Sequence, residues 1–204
     1  MIHIVDYGLG NLQAFMTTFK RLGVDAVRAR TSDELIKAER LILPGVGAFD
    51  HAMTLLNQSG MLPVLETLVL DRRKPILGIC VGMQILASSS EEGALPGLGW
   101  IPGVVRSFKS DTRSSELPLP HMGWNDVNPR HNTSLFSGLE SGERFYFLHS
   151  FFFDCNSQES VEATSTYGLD FSCAVSSGNI HGVQFHPEKS HHAGLRLLRN
   201  FSEI

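Results

Sequence analysis

The sequence predicts an α/β fold. It reads as a single domain over residues 1–204, with a doubly wound, mostly parallel sheet, helices on both faces, and antiparallel strands extending the C-terminal half. Three observations predict it. Up to about Gly93, short apolar β-branched runs alternate with segments whose apolar residues recur at helical spacing, the pattern of a parallel sheet wrapped by helices. Beyond Gly93 the texture changes to short strand-like runs separated by turns. Between the two, Gly78-Ile79-Cys80-Val81-Gly82 follows the apolar run Pro75-Ile76-Leu77. That junction reads as a buried strand breaking sharply into a helix, with a cysteine at the corner.

Each element has a local reason. Ile2 to Asp6 is apolar and β-branched, and Tyr7-Gly8-Leu9-Gly10-Asn11 supplies a tight turn. Leu12, Phe15, Phe19 and Leu22 share one helical face that ends at Gly23. A strand is expected over Val24–Ala29, a short helix over Asp33–Ala38, and a strand over Arg40–Leu43 stopping at Pro44-Gly45-Val46-Gly47. Helices follow over about Phe49–Gln58 and Leu62–Arg72, then the strand leading to Cys80 and a helix from Val81 to about Ser88. The second half predicts strands near Trp100–Phe108, Pro120–Val127, Arg144–Phe153, Ser160–Tyr167, Phe171–Ser176 and Asn179–Phe185. A closing helix carries Leu195, Leu198 and Phe201 on its apolar face, and the polar stretch Asp111–Glu116 reads as a surface loop.

Composition narrows the function classes. With 42% hydrophobic and 19% charged residues the chain is an ordinary globular protein rather than a disordered or membrane one. No apolar run approaches the roughly 20 residues needed to span a bilayer. The net charge of −4, with no basic cluster, argues against a nucleic-acid surface. The N-terminus begins as a strand, without the basic-then-apolar design of a signal peptide. Cys80, Cys155 and Cys173 are odd in number, widely spaced and free of a zinc-ligand pattern. A cytoplasmic protein with no metal site is expected.

The corner cysteine carries the chemistry. A sharp strand-to-helix turn forces its central residue into a sparsely allowed backbone conformation, and glycine on either side relieves the crowding. The start of the following helix favours a thiolate there. Taken alone, Gly-x-Cys-x-Gly also describes a buried structural cysteine. Gln184-Phe185-His186-Pro187-Glu188 tips the balance, because in extended backbone residues two apart face the same side. His186 and Glu188 therefore point together, as a base and a carboxylate that fixes its tautomer. An acyl-transfer site also needs N–H donors for the developing oxyanion. Val81, directly after the cysteine, and the Gly45-Val46-Gly47 turn at the carboxyl end of a strand can supply them. Gln84, just past Gly82, could recognise an amide, and Tyr146, His149 and Ser150 lie on one aromatic-rich strand.

Together, Gly78-Ile79-Cys80-Val81-Gly82-Met83-Gln84 and Gln184-Phe185-His186-Pro187-Glu188 resemble the motifs of class I, triad-type glutamine amidotransferases. Asp6–Asn11, Pro44–Phe49, His121-Met122-Gly123-Trp124-Asn125, Tyr146–Ser150 and Glu188-Lys189-Ser190 carry a closer resemblance to the glutaminase subunits of imidazole glycerol phosphate synthases, along essentially the whole chain. The resemblance implies Cys80 as nucleophile, His186 as general base and acid, Glu188 as its orienter, and oxyanion donors at Val46–Gly47 and Val81. It further implies glutamine held by Gly45, Gln84, His149 and Ser150, no cofactor, and Asn11, Trp124 and Tyr146 turned towards a docked (β/α)8-barrel cyclase. Such pairs serve histidine biosynthesis. The family usually has tyrosine after His-Ser, where this chain has Phe151. Two other readings stay open: a paralogous glutaminase feeding a sugar-modifying amidotransferase of surface-polysaccharide synthesis, and a stand-alone cysteine hydrolase.

Overall fold

A computed structural model describes residues 1–130 and 133–204. The N-terminal half alternates as the periodicity predicts. Strand β1 (Ile2–Val5) leads to helix α1 (Leu12–Leu22), β2 (Ala26–Ala29), α2 (Ser32–Leu35), β3 (Arg40–Gly45), α3 (Phe49–Gln58), α4 (Leu62–Glu66) and β4 (Ile76–Cys80). Helix α1 starts where Asn11 Oδ1 accepts from the Ala14 N–H at 3.2 Å and stops at Gly23, whose φ of 69° belongs to the left-handed cap that glycine adopts without strain. Thr31 caps α2 in the same way, accepting from the Glu34 N–H at 3.3 Å. Past α4 the chain loosens into a π-helical turn over Thr67–Asp71.

After β4 come α5 (Val81–Gln84), β5 (Ser89–Ser90), β6 (Gly103–Ser107), β7 (His121–Pro129), β8 (Glu143–His149), β9 (Phe151–Cys155), β10 (Val161–Tyr167), β11 (Leu169–Ser177), β12 (Ile180–Val183) and α6 (His191–Glu203). One mixed sheet runs β2-β1-β3-β4-β12-β11-β10-β7-β8, with β9 joined to β11 and β6, and β6 to β5. It is parallel from β2 to β12 and antiparallel from β12 to β8. The last parallel strand, β12, comes from the far end of the chain and lies beside β4, with Gly182 opposite Gly78 and Val183 opposite Ile79. Leu41, Ile42 and Leu43 of β3, with Ile76 and Leu77 of β4, are fully buried, as expected of central strands covered on both faces. Among the described residues no helix is long and apolar enough to cross a membrane.

Three elements differ from the sequence reading. The helix expected to reach Ser88 ends at Gln84 and continues as tighter turns, Leu86 N–H to Met83 and Ala87 N–H to Gln84, both 3.0 Å. The carbonyls of Ile85, Leu86 and Ala87 instead accept from Leu98, Ile101 and Gly99 of the returning chain, so they do not extend a helix. The single strand expected over Arg144–Phe153 is two, β8 and β9, divided at Ser150 where the chain leaves its pairing with β7 for β6 and β11. Lastly, the Asp111–Glu116 loop is exposed in the main but anchored by Ser114, which is fully buried and donates to the Phe108 carbonyl at 2.6 Å.

Candidate active site

Cys80 ends β4 with φ 56° and ψ −114°, a strained conformation for a residue with a side chain. The glycines around it are sterically required. A Cβ on Gly78 would stand 2.5 Å from the Gly82 carbonyl oxygen. One on Gly82 would collide with the Leu43 carbonyl of β3, so the second glycine makes room for the neighbouring strand rather than for the corner itself. In the parallel register Gly45 lies opposite Cys80, which delivers the Gly45–Gly47 turn to the corner. Gly47 has φ 92°, a conformation L side chains rarely adopt.

On the other flank of β4, the chain leaving β12 brings His186. The His186 N–H donates to the Tyr146 carbonyl at 2.8 Å, and the Ser190 hydroxyl donates to the His186 carbonyl at 2.6 Å. The first bond ties the segment to β8, and the Tyr146 N–H, which donates to the Ser190 hydroxyl at 3.0 Å, ties it again. His186 Nδ1 lies 2.9 Å from Glu188 Oε1, with both side chains nearly inaccessible to solvent. Burial works against the charged ring, yet Cys80 and Glu188 on either side of it raise its pKa to about 9. An imidazolium next to a cysteine favours the thiolate. The arrangement can therefore attack an acyl carbon with sulfur and return a proton to a leaving group from the imidazole.

Val46, Gly47, Cys80, Val81, Gln84, His149, Ser150 and His186 surround one cavity of about 290 Å³, joined by Glu92, Leu148 and Lys189. Glu188 stands behind His186 rather than in the wall. A larger cleft of about 710 Å³ between Pro129 and Ser141 has no thiol and no imidazole in its described lining. No group of three metal-ligating side chains converges among the described residues. The residues expected to face a partner lie outside the cavity. Trp124 and Tyr146 are opposite one another in the β7–β8 ladder, Trp124 stacks on His191 with centroids 5.0 Å apart, and Lys189 Nζ lies 5.5 Å from the Tyr146 ring centre. Asn11 is exposed and serves as the cap of α1.

Several polar groups in the wall are already committed. The Gln84 Nε2 amide donates to the Phe151 carbonyl at 3.1 Å and to Gln184 Oε1 at 3.0 Å, leaving its carbonyl oxygen for a ligand. His149 Nδ1 donates to the same Phe151 carbonyl at 2.8 Å. Its Nε2 must then accept, and it does so from His121 Nδ1 at 2.9 Å. His121 Nε2 in turn takes a bond from Asn125 Nδ2 at 3.2 Å, so both imidazoles are neutral with defined tautomers. Burial pushes His121 down to about 4 and His149 to about 3. Sequence reasoning missed His121, Ser190 and Gln184. None of the three follows from local pattern: Gln184 lies in a bend past the end of β12, His121 depends on the β7–β8 pairing, and Ser190 on the fold-back of the chain against β8.

A strained cysteine corner, a buried histidine–glutamate pair and a glycine turn around one cavity mark a class of enzyme, and comparison with known proteins agrees. The family profile described as "Glutamine amidotransferase class-I" matches residues 3–204, and the chain belongs to that family. It is 61% identical over 204 residues, covering all of both chains, to the imidazole glycerol phosphate synthase subunit HisH of Bdellovibrio bacteriovorus. The protein of the same name from Leptospira borgpetersenii is 50% identical, again over the full length of both. A crystal structure of a glutamine amidotransferase superposes with a TM-score of 0.76, covering 99% of this chain and 97% of that one, at 21% identity; that likeness is one of fold.

Proposed function

We propose that this chain is the glutaminase subunit of an imidazole glycerol phosphate synthase of histidine biosynthesis, acting in the cytoplasm as a heterodimer with a (β/α)8-barrel cyclase. The observation that carries the chemistry is the meeting of Cys80 and His186 in the wall of one cavity, with Glu188 bonded to His186 from behind. Full-length likeness to HisH subunits supports the pathway.

In this reading glutamine enters the cavity and the Cys80 thiolate attacks its side-chain amide carbon. The oxyanion is met by the N–H of Val81 and by a peptide of the Val46–Gly47 turn. His186, charged at neutral pH and held by Glu188, protonates the leaving nitrogen, so ammonia departs and a γ-glutamyl thioester remains on sulfur. Neutral His186 then takes a proton from water; the hydroxide attacks the thioester, glutamate leaves, and the thiolate–imidazolium pair is restored. Gln84, His149 and Ser150 line the glutamine pocket, while Gly45, packed against Gly82 behind the wall, positions the Val46–Gly47 turn. Ammonia passes to the partner, which carries the acceptor chemistry.

The test is Cys80→Ala in the assembled synthase. Glutamine-dependent product formation should vanish while ammonia-dependent synthesis continues; persistent glutamine turnover would remove Cys80 from its role. For the pathway, the chain with its cognate cyclase should restore growth of a histidine auxotroph. Failure to do so, with glutamine hydrolysis intact, would favour a surface-polysaccharide amidotransferase.

A further inference from the structure

Between Cys80 and the body of the protein lies a polar side chain that the mechanism above does not use. Gln184 is completely buried, and its Nε2 is 3.8 Å from Cys80 Sγ, within the range of an N–H to sulfur hydrogen bond. The backbone puts it there. β12 and β4 run parallel up to Val183, opposite Ile79, and the next residue of each strand, Gln184 and Cys80, leaves the ladder at the same end of the sheet.

Which end of the amide faces sulfur is decided by its surroundings. The Phe151 carbonyl can only accept, so the Gln84 group bonded to it at 3.1 Å is the NH2. That NH2 also bonds Gln184 at 3.0 Å and must meet an acceptor there, which is Oε1. The remaining end of Gln184, its own NH2, is therefore the one turned to Cys80. The Phe151 carbonyl is fixed from its other side by His149, itself held by His121 and Asn125. A continuous chain of oriented hydrogen bonds thus runs from Asn125 to the sulfur.

We propose that Gln184 is a further residue of the catalytic centre, donating its side-chain N–H to the Cys80 sulfur and stabilising the negative charge that the nucleophile carries. The need for it is local. The Cys80 thiol points at the Leu148 carbonyl, 3.8 Å away, a good partner for S–H and a repulsive one for a thiolate. A donor just past the end of β12 offsets that repulsion once the proton has moved to His186. Gln84 acts as a positioning residue, keeping the Gln184 amide from turning its oxygen to sulfur. The catalytic consequence rests on the glutaminase reading; the hydrogen bond to sulfur does not.

The experiment is alkylation of the full-length chain by iodoacetamide from pH 5 to 10, read by mass spectrometry on the peptide that contains Cys80. The titratable groups around this sulfur, His186 and Tyr7 beside it and Glu92, His149 and Lys189 in the wall of the same cavity, stay unchanged in every variant. Q184M should alkylate about fivefold more slowly near pH 7, the effect of one hydrogen bond of about 1 kcal/mol. Its rate–pH midpoint should move upward, and the high-pH plateau should be kept. Q84M should shift the profile in the same direction by less. Should Q184M fail to fold, the isosteric Q184E, which places an acceptor against sulfur, should slow alkylation further. A profile for Q184M or Q184E superimposable on that of the unaltered chain would overturn the proposal. Glutamine turnover that survives C80A would instead overturn the glutaminase reading.

Discussion

His186 and Glu188 show how two neighbouring residues divide one task. A 3-10 turn over Pro187–Lys189, rather than the extended backbone expected from the sequence, folds Glu188 back onto His186, and burial of the 2.9 Å contact leaves the carboxylate little solvent to share its charge with. Glu188→Gln would replace that charge with a neutral amide. The imidazolium would lose its partner, and kcat for glutamine hydrolysis in the complex should fall by about 10² or more, the usual scale of acid–base catalysis. Steady-state kinetics with saturating cyclase would read it. The pair formed by His149 in the cavity wall and His121 behind it makes a prediction about stability. His121 and His149 titrate near 4 and 3 when folded but near 6.5 when unfolded, so below pH 6.5 the unfolded chain binds more protons. Stability should fall as pH drops from 6.5 towards 3, by up to about 1.4 kcal/mol per pH unit for each ring. Urea denaturation at pH 6.5, 5.5 and 4.5 should show this slope, and His121→Gln should flatten it. His186, raised to about 9, behaves the other way: its contribution is complete below 6.5 and is lost as pH rises through 9.

At the scale of elements, β4 and its corner depend on the absence of side chains. Gly78 faces the Gly82 carbonyl, and Gly82 faces the Leu43 carbonyl of β3, so neither obstacle is a flexible side chain that could swing away. Gly82→Ala should destabilise the fold by about 3 kcal/mol, the upper range for forced overpacking. That amounts to a drop in melting temperature of roughly 6–12 °C for a domain of this size, and calorimetry would measure it. The cap of α1 is a milder case. Asn11→Ala removes only the 3.2 Å bond to Ala14 and should cost about 1 kcal/mol in chemical denaturation. The α5 segment shows the limit of local reasoning. Apolar residues continue past Gln84 as a helix would want, but the backbone acceptors of Ile85, Leu86 and Ala87 go to a segment more than ten residues away.

Across the whole molecule, the β7–β8 ladder presents Met122, Trp124, Tyr146 and Leu148 on one side, with Met122 66% exposed, beside a cavity that Leu148 helps to line. In the proposed assembly this face meets the cyclase. Trp124→Ala should weaken association with the cyclase about tenfold or more, as loss of an aromatic anchor does. The isolated chain should stay folded, and titration calorimetry with the partner would decide it. The succession of strands and helices, the corner at Cys80 and the pairing of His186 with Glu188 were legible in the sequence because each follows from residues close together in the chain: periodicity, glycines flanking a cysteine that takes a positive φ, and a base and a carboxylate two positions apart. Those same short-range rules could not reveal that Gln184 comes to lie beside Cys80, that His121 closes on His149, or that the Arg144–Phe153 run breaks at Ser150 to change sheet partners. Strand pairing between distant segments decided all three. Pairing is a competition among many apolar strands for hydrogen-bonding neighbours, and only the folded sheet, with its core filled, shows which of them won.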